Sequence, residues 1–271
     1  MGEMLSKGEL ERVCVVLVRA RNPANIGAVA RAMHDFGFGR LRVVNEFAVP
    51  FEAAKSAVDA SAVMENAAIY TSVAEAVGDC TLVVGTTAVG ERDLQHRLVT
   101  LAEGGVGVRE ELRPEPIHDG ETAMNGVQVG RVAILFGSEK TGLSNEELSY
   151  CDWLLTIPMH EHAGVRHPSM NLGQAVAVCL YELVRETARD DEAVVNGTED
   201  SGRADAATLE RMTGLLIEVM DKAEYTRRHA ANSGAENVRR LVRRMGADAQ
   251  DAPVWMGVLR QILWKLGGRE E

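Results

Sequence analysis

Apolar and polar positions along this 271-residue chain fall into short, regular blocks. Val13 to Val18 is an unbroken apolar run, the pattern of a strand covered on both faces. Asn25 then reads as a helix N-cap. From Ile26 to Phe36, the residues Ile26, Val29, Ala30 and Met33 share one helical face before Gly37 and Gly39 end it. Residues 41–44 read as the next strand, 52–66 as a helix, 67–70 as a short strand and 73–77 as a short helix. Residues 81–87 form a strand that closes on Gly85, Thr86 and Thr87. Strands alternating with helices in this way predict an α/β domain around a mostly parallel sheet.

Between about 89 and 130 the periodicity fades among glycines and prolines, and 104–130 reads as one long loop, functional or mobile. The pattern returns as a strand at 132–136, a short helix at 145–150, a strand at 153–157 and a long helix at 171–187. Residues 189–206, with Asp190, Asp191, Glu192, Glu199 and Asp200, are acidic and poor in apolar groups, as a flexible linker is. Three helical patterns follow at 207–231, 235–245 and 252–266. The organisation expected is therefore a domain over 1–189, a linker over 190–206 and a small helical extension over 207–271.

Composition narrows the class. Hydrophobic residues make up 46% and charged residues 25%, ordinary for a soluble globular chain. No apolar run approaches the length of a membrane span, and the charged start has no signal-peptide core, so a cytoplasmic location is expected. Cys14, Cys80, Cys151 and Cys179 are widely spaced and lie mostly in apolar runs, which predicts buried, reduced thiols. A net charge of −11 argues against nonspecific binding of polyanions. Yet arginines concentrate near the end, at Arg227, Arg228, Arg239, Arg240, Arg243 and Arg244. They either solvate helix faces or meet phosphates.

The candidate chemistry sits where apolar runs meet loops of Gly, Ser and Asn. Arg31 follows Asn25 by nearly two helical turns. It either snorkels to solvent or holds a phosphate with its planar fork of donors. Gly137, Ser138 and Glu139 end the strand at 132–136 as an ordinary turn or as a ligand-facing loop. Ser169 and Asn171 either cap the helix after them or line a site. Gly85, Thr86 and Thr87 form a fourth junction of this kind, at the carboxyl end of a strand. No dinucleotide-binding glycine motif follows the first strand, and no phosphate-binding loop or nucleophile elbow occurs. His160, His162 and His167 lie in a glycine-containing loop without metal-site spacing, so no metal is expected.

Taken in order, these segments match a known pattern. Asn25, Gly27 and Arg31 are followed by Phe136, Gly137, Glu139, Gly142, Leu143 and Asn145 to Leu148. Ile157, Pro158, Ser169, Asn171, Leu172, Ala175 and Val176 complete it. The set resembles the SpoU/TrmH branch of the SPOUT RNA methyltransferases over residues 12 to 188. Within that branch Gly85 to Ala88, Asn237 to Arg244 and Leu259 to Trp264 are most similar to enzymes that methylate ribose 2′-hydroxyls of the tRNA anticodon loop, at nucleotide 32. The resemblance implies an α/β SPOUT fold with a deep C-terminal trefoil knot, a homodimer sharing its site, S-adenosylmethionine as methyl donor and tRNA as substrate. It implies cofactor contacts at Thr86, Thr87, Ala88, Gly137, Ile157, Ser169 and Met170. It makes Arg31 the catalytic arginine, assisted by Asn25, Glu139, Ser169 and Asn171. A non-catalytic knotted RNA-binding protein, or a ribosomal RNA methyltransferase of the same branch, stands as the alternative. Under the resemblance, the arginines of the extension are expected to be the RNA-facing surface.

Overall fold

The computed structural model describes residues 4–45, 61–88, 94–113, 130–160, 170–185 and 202–267. In chain order its elements are α1 (Lys7–Leu10), β1 (Val13–Val18), α2 (Pro23–Asp35), β2 (Arg40–Val44), α3 (Ser61–Glu65), β3 (Ala68–Tyr70), α4 (Val73–Val77) and β4 (Leu82–Thr86). Then come β5 (Leu98–Thr100), α5 (Leu101–Leu112), β6 (Val132–Phe136), α6 (Asn145–Leu148), β7 (Trp153–Thr156) and α7 (Leu172–Val184). The tail holds α8 (Ala206–Lys222), α9 (Tyr225–Arg228), α10 (Ala235–Met245) and α11 (Asp251–Gly267).

The seven strands form one sheet in the order β3-β2-β1-β6-β4-β7-β5, and every pairing is parallel. The unbroken apolar run of β1 follows from its central place. Val13, Val15 and Leu17 face a layer containing α2, α5 and α7, while Cys14, Val16 and Val18 face a layer with α4 and α6. Burying each such side chain contributes about 1.5–3 kcal/mol. All four cysteines are free and buried. No helix among the described residues is long and apolar enough to cross a membrane.

Three expectations need correction. The N-cap of α2 is Asn22, not Asn25; the Asn22 side chain accepts from the Ala24 amide at 3.0 Å, and Pro23 takes the first helical position. Asn25 is thereby released to act elsewhere. Residues 98–112, read mostly as loop, form β5 and α5. Their glycines permit close packing: a Cβ on Gly104 would stand 2.7 Å from Leu155, and one on Gly105 would stand 2.9 Å from Glu182. The helix expected over 207–231 stops at Lys222, and Glu224 enters the left-handed region at φ 56°. The expected helix over 52–66 survives as α3, its earlier part lying outside the described residues, as does most of the linker. Residues 161–169, which precede the helix whose threading the resemblance implies, also lie outside them.

Helices α2 and α7 run side by side in the same direction. Gly173 meets Ala28, where a Cβ would come to 2.6 Å, and Tyr181 meets Phe36 with ring centroids 6.2 Å apart. This close approach brings the start of α7 against the start of α2.

Candidate active site

The loops that follow β1, β6, β4 and β7 emerge from four adjacent strands at one edge of the sheet, although they are far apart in sequence. The carboxyl edge of a parallel sheet is where such proteins bind ligands. Here it brings three of the motif residues into one hydrogen-bonded chain. The Asn171 amide donates to Asn25 Oδ1 at 3.1 Å, and the Asn25 amide donates to Glu139 Oε1 at 2.9 Å. Asn171 is also the N-cap of α7, its Oδ1 accepting from the Gly173 amide at 3.0 Å. The capping expectation for Asn171 therefore holds, and the other end of the same side-chain amide joins the hydrogen-bonded chain.

Glu139 is held by a tight loop. The Gly142 amide returns to the Ser138 carbonyl at 2.8 Å, with Gly142 at φ 65°. Gly137 has no room for a side chain, since a Cβ would come within 2.1 Å of the Gly142 backbone. Arg31 stands six residues beyond Asn25 on α2, about 9 Å along the helix, and is exposed. Ser169 lies outside the described residues.

Thr86 ends β4, Thr87 and Ala88 follow it, Gly137 follows β6, Ile157 follows β7, and Met170 precedes α7. The Thr86 hydroxyl donates to the Leu135 carbonyl at 2.8 Å, and the Thr87 amide donates to the Leu155 carbonyl at 3.0 Å. These bonds fix the β4 end between its two neighbours. Ile157 and Met170 are half-buried, and Ala88 is exposed. The rim across these three adjacent strand ends is uncharged, with two threonine hydroxyls beside backbone and apolar side chains, a lining that would accept a nucleoside with an aliphatic arm.

The arginine-rich tail divides in two. Arg239 and Arg243 are buried. Arg239 forks onto Glu210 at 2.8 and 2.9 Å, donates to the Ser149 hydroxyl at 2.8 Å and lies 4.0 Å from the Tyr150 ring centre. Arg243 pairs with Asp152 at 3.1 Å. Burial turns these two away from solvent: the Arg239 fork and the Arg243–Asp152 pair hold the tail to the sheet domain, and Arg243 Nε is buried without a partner. Arg240 is half-buried and donates to Asn237, while Arg227, Arg228 and Arg244 are exposed. Alternate members of the pattern thus face opposite ways.

One pair escaped notice in the sequence. Arg19, just after β1, forks onto Glu147 of α6 at 2.6 and 2.9 Å and donates to the Gly142 carbonyl at 3.0 Å. Burial would raise the Glu147 carboxyl, but the Arg19 fork and the Ser144 amide outweigh it and hold it below the usual carboxylate range. The signal available was the capping box at Ser144 and Glu147, which marked the carboxylate but not its distant partner.

A parallel sheet whose carboxyl edge gathers amides and a carboxylate has the architecture of an α/β ligand-binding protein. Residues 12–181 match the SpoU rRNA methylase family, and the chain belongs to it. It is 32% identical over 250 residues to the tRNA (cytidine-2′-O-)-methyltransferase TrmJ of Methanocaldococcus jannaschii, covering 92% of this chain and 98% of that protein. It is 31% identical over 256 residues to the tRNA (cytidine/uridine-2′-O-)-methyltransferase TrmJ of Cronobacter sakazakii, covering 93% and 96%. The crystal structure of TrmJ from Z. mobilis superimposes with a TM-score of 0.72 at 27% identity, covering 92% of this chain and 98% of that one.

Proposed function

We propose that this chain is an S-adenosylmethionine-dependent tRNA ribose 2′-O-methyltransferase. The observation that carries the reading is the Asn171–Asn25–Glu139 hydrogen-bonded chain, which joins all three motifs at one edge of the sheet. Likeness to the two TrmJ enzymes over more than nine-tenths of the chain supports tRNA as the substrate class, and nucleotide 32 of the anticodon loop is the finer expectation. The four buried free thiols suit a reducing cytoplasm.

When bound, S-adenosylmethionine supplies an electrophilic methyl group. The chain's part is to position the acceptor. Thr86, Thr87, Ala88, Gly137, Ile157 and Met170, with Ser169, frame the donor, while Glu139, Asn25 and Asn171 hold a fixed line of polar groups beside it. Arg31 is a fork of donors for a ribose hydroxyl and its neighbouring phosphate. A guanidinium stays protonated at neutral pH, so its role here is orientation and charge stabilisation. Arg31 lies on the exposed side of α2, which fits a site completed by a second copy in a homodimer. Correct placement of nucleophile and methyl supplies much of the rate.

The test is methyl transfer from labelled S-adenosylmethionine to tRNA, with the modified ribose mapped. Arg31→Ala is expected to lower kcat by at least about a hundredfold while leaving circular dichroism unchanged. Full activity in that variant overturns the assignment of Arg31. Transfer to ribosomal RNA transcripts and not to tRNA overturns the substrate.

A further inference from the structure

Helix α11 has two apolar faces. Ala252, Met256 and Leu259 turn inward and pack with α8. Along another side, about a third of a turn away, Val254, Val258 and Ile262 recur every four residues and are exposed by 65%, 45% and 39%, with Trp255 beside them at 44%. Single exposed apolar residues need no explanation, but a continuous helical row does. Asp251 in the first turn and Lys265 in the last turn continue the same stripe.

The row is symmetric about Val258. Val254 and Ile262 lie four residues to either side of it, and Asp251 and Lys265 lie seven. If a second α11 is laid antiparallel across a two-fold axis at Val258, each Val254 meets the other copy's Ile262. Each Asp251 then meets the other copy's Lys265, at both ends of the seam. An unrelated partner would not require the row to complement itself, whereas a two-fold contact does. Antiparallel helix dipoles and the terminal charge pairs add to the apolar contact.

We propose that α11 pairs with the α11 of a second copy of this chain, antiparallel and centred on Val258. A seam of this length buries on the order of 300–500 Å² per partner, short of the roughly 800 Å² of a standard interface. The pairing is therefore weak alone and strengthens where another contact already holds the two chains together.

The full-length Val258→Cys variant tests this, because the native cysteines are all buried. Under mild oxidation or with a short bis-maleimide it is expected to form a covalent dimer. Arg260→Cys, on another side of the same helix, is expected to remain uncrosslinked. Adding Asp251→Lys to Val258→Cys should cut the yield several-fold, and adding Lys265→Asp as well should restore it, with circular dichroism unchanged throughout. Failure of Val258→Cys to cross-link, equal cross-linking at residue 260, or a yield indifferent to Asp251→Lys would each overturn the proposal. None of these readouts involves methyl transfer, so the result stands apart from the proposed activity.

Discussion

Arg19 adopts φ 57°, a left-handed conformation that costs a non-glycine residue about 1 kcal/mol or more. The turn lets its amide donate to the Val44 carbonyl at 2.9 Å while the side chain swings onto Glu147 and Gly142. The effect is to tie the loop after β1 to the loop that carries Gly137 and Glu139. Arg19→Ala removes this tie. The arginine is a third exposed, so the loss of stability is about 1–2 kcal/mol, at the lower end for a charge-assisted fork. Thermal denaturation should show it, and calorimetric affinity for S-adenosylmethionine should fall with it, Arg19→Lys recovering only part of both. The partnership was invisible in the sequence because its members lie 128 residues apart with no local period linking them. Asn25, Glu139 and Asn171, by contrast, were legible as members of a motif, although not as bonded neighbours. The mixed roles of the tail arginines were half legible. Val238 and Val242 mark the buried face of α10, and Arg239 and Arg243 follow each of them.

At the scale of elements, β1, β4, β6, β7 and α7 were readable because each is mainly an apolar run or a clean helical stripe, and β2 was readable from Leu41, Val43 and Val44 despite Arg42 between them. Helix α5 was not, since Gly104, Gly105 and Gly107 hide its stripe, and glycine disfavours a helix unless packing demands it. Its capping box, Thr100 with Glu103, was the surviving clue. Just before β5, His96 lies against the tail. Burial, then Arg240 and Arg244, push its pKa down to about 4. Its Nε2 is buried without a partner. The imidazole is thus kept neutral in the folded chain, whereas the unfolded chain binds a proton near pH 6.5. Stability is then full above pH 6.5 and falls as the solution is acidified toward pH 4, because the unfolded state takes up more protons over that window. The drop from 6.5 to about 4 corresponds to roughly 3 kcal/mol, and partial exposure reduces this to about 2 kcal/mol. Urea denaturation of the wild type and of His96→Gln between pH 4 and 7 checks it: the variant's stability should change less over this range.

Across the whole molecule, the candidate site and the tail occupy opposite edges of the sheet. The site lies at the strand ends, while the tail binds where strands begin. The Ala206 amide donates to Cys80 at 2.8 Å, the Ala207 amide donates to Gly78 at 3.0 Å, and Arg243 reaches Asp152 just before β7. Strands of five residues separate the two edges by about 17 Å. An RNA gripped by exposed tail cations must therefore span the sheet to reach the site, or be held by one copy and modified by another. This arrangement separates two groups of arginines by consequence. Arg239→Ala strands Glu210 and removes a cation from the Tyr150 face, so it should cost about 2–3 kcal/mol and loosen α10. Limited proteolysis would then cut the tail sooner than in the wild type. Arg227→Ala with Arg228→Ala touches no buried contact and should leave the melting temperature unchanged. If these two face phosphates, tRNA affinity falls and the slope of log affinity against log salt decreases by about two. Should the double variant bind tRNA with an unaltered slope, the tail's role is to position helices, and its exposed charge only keeps it solvated.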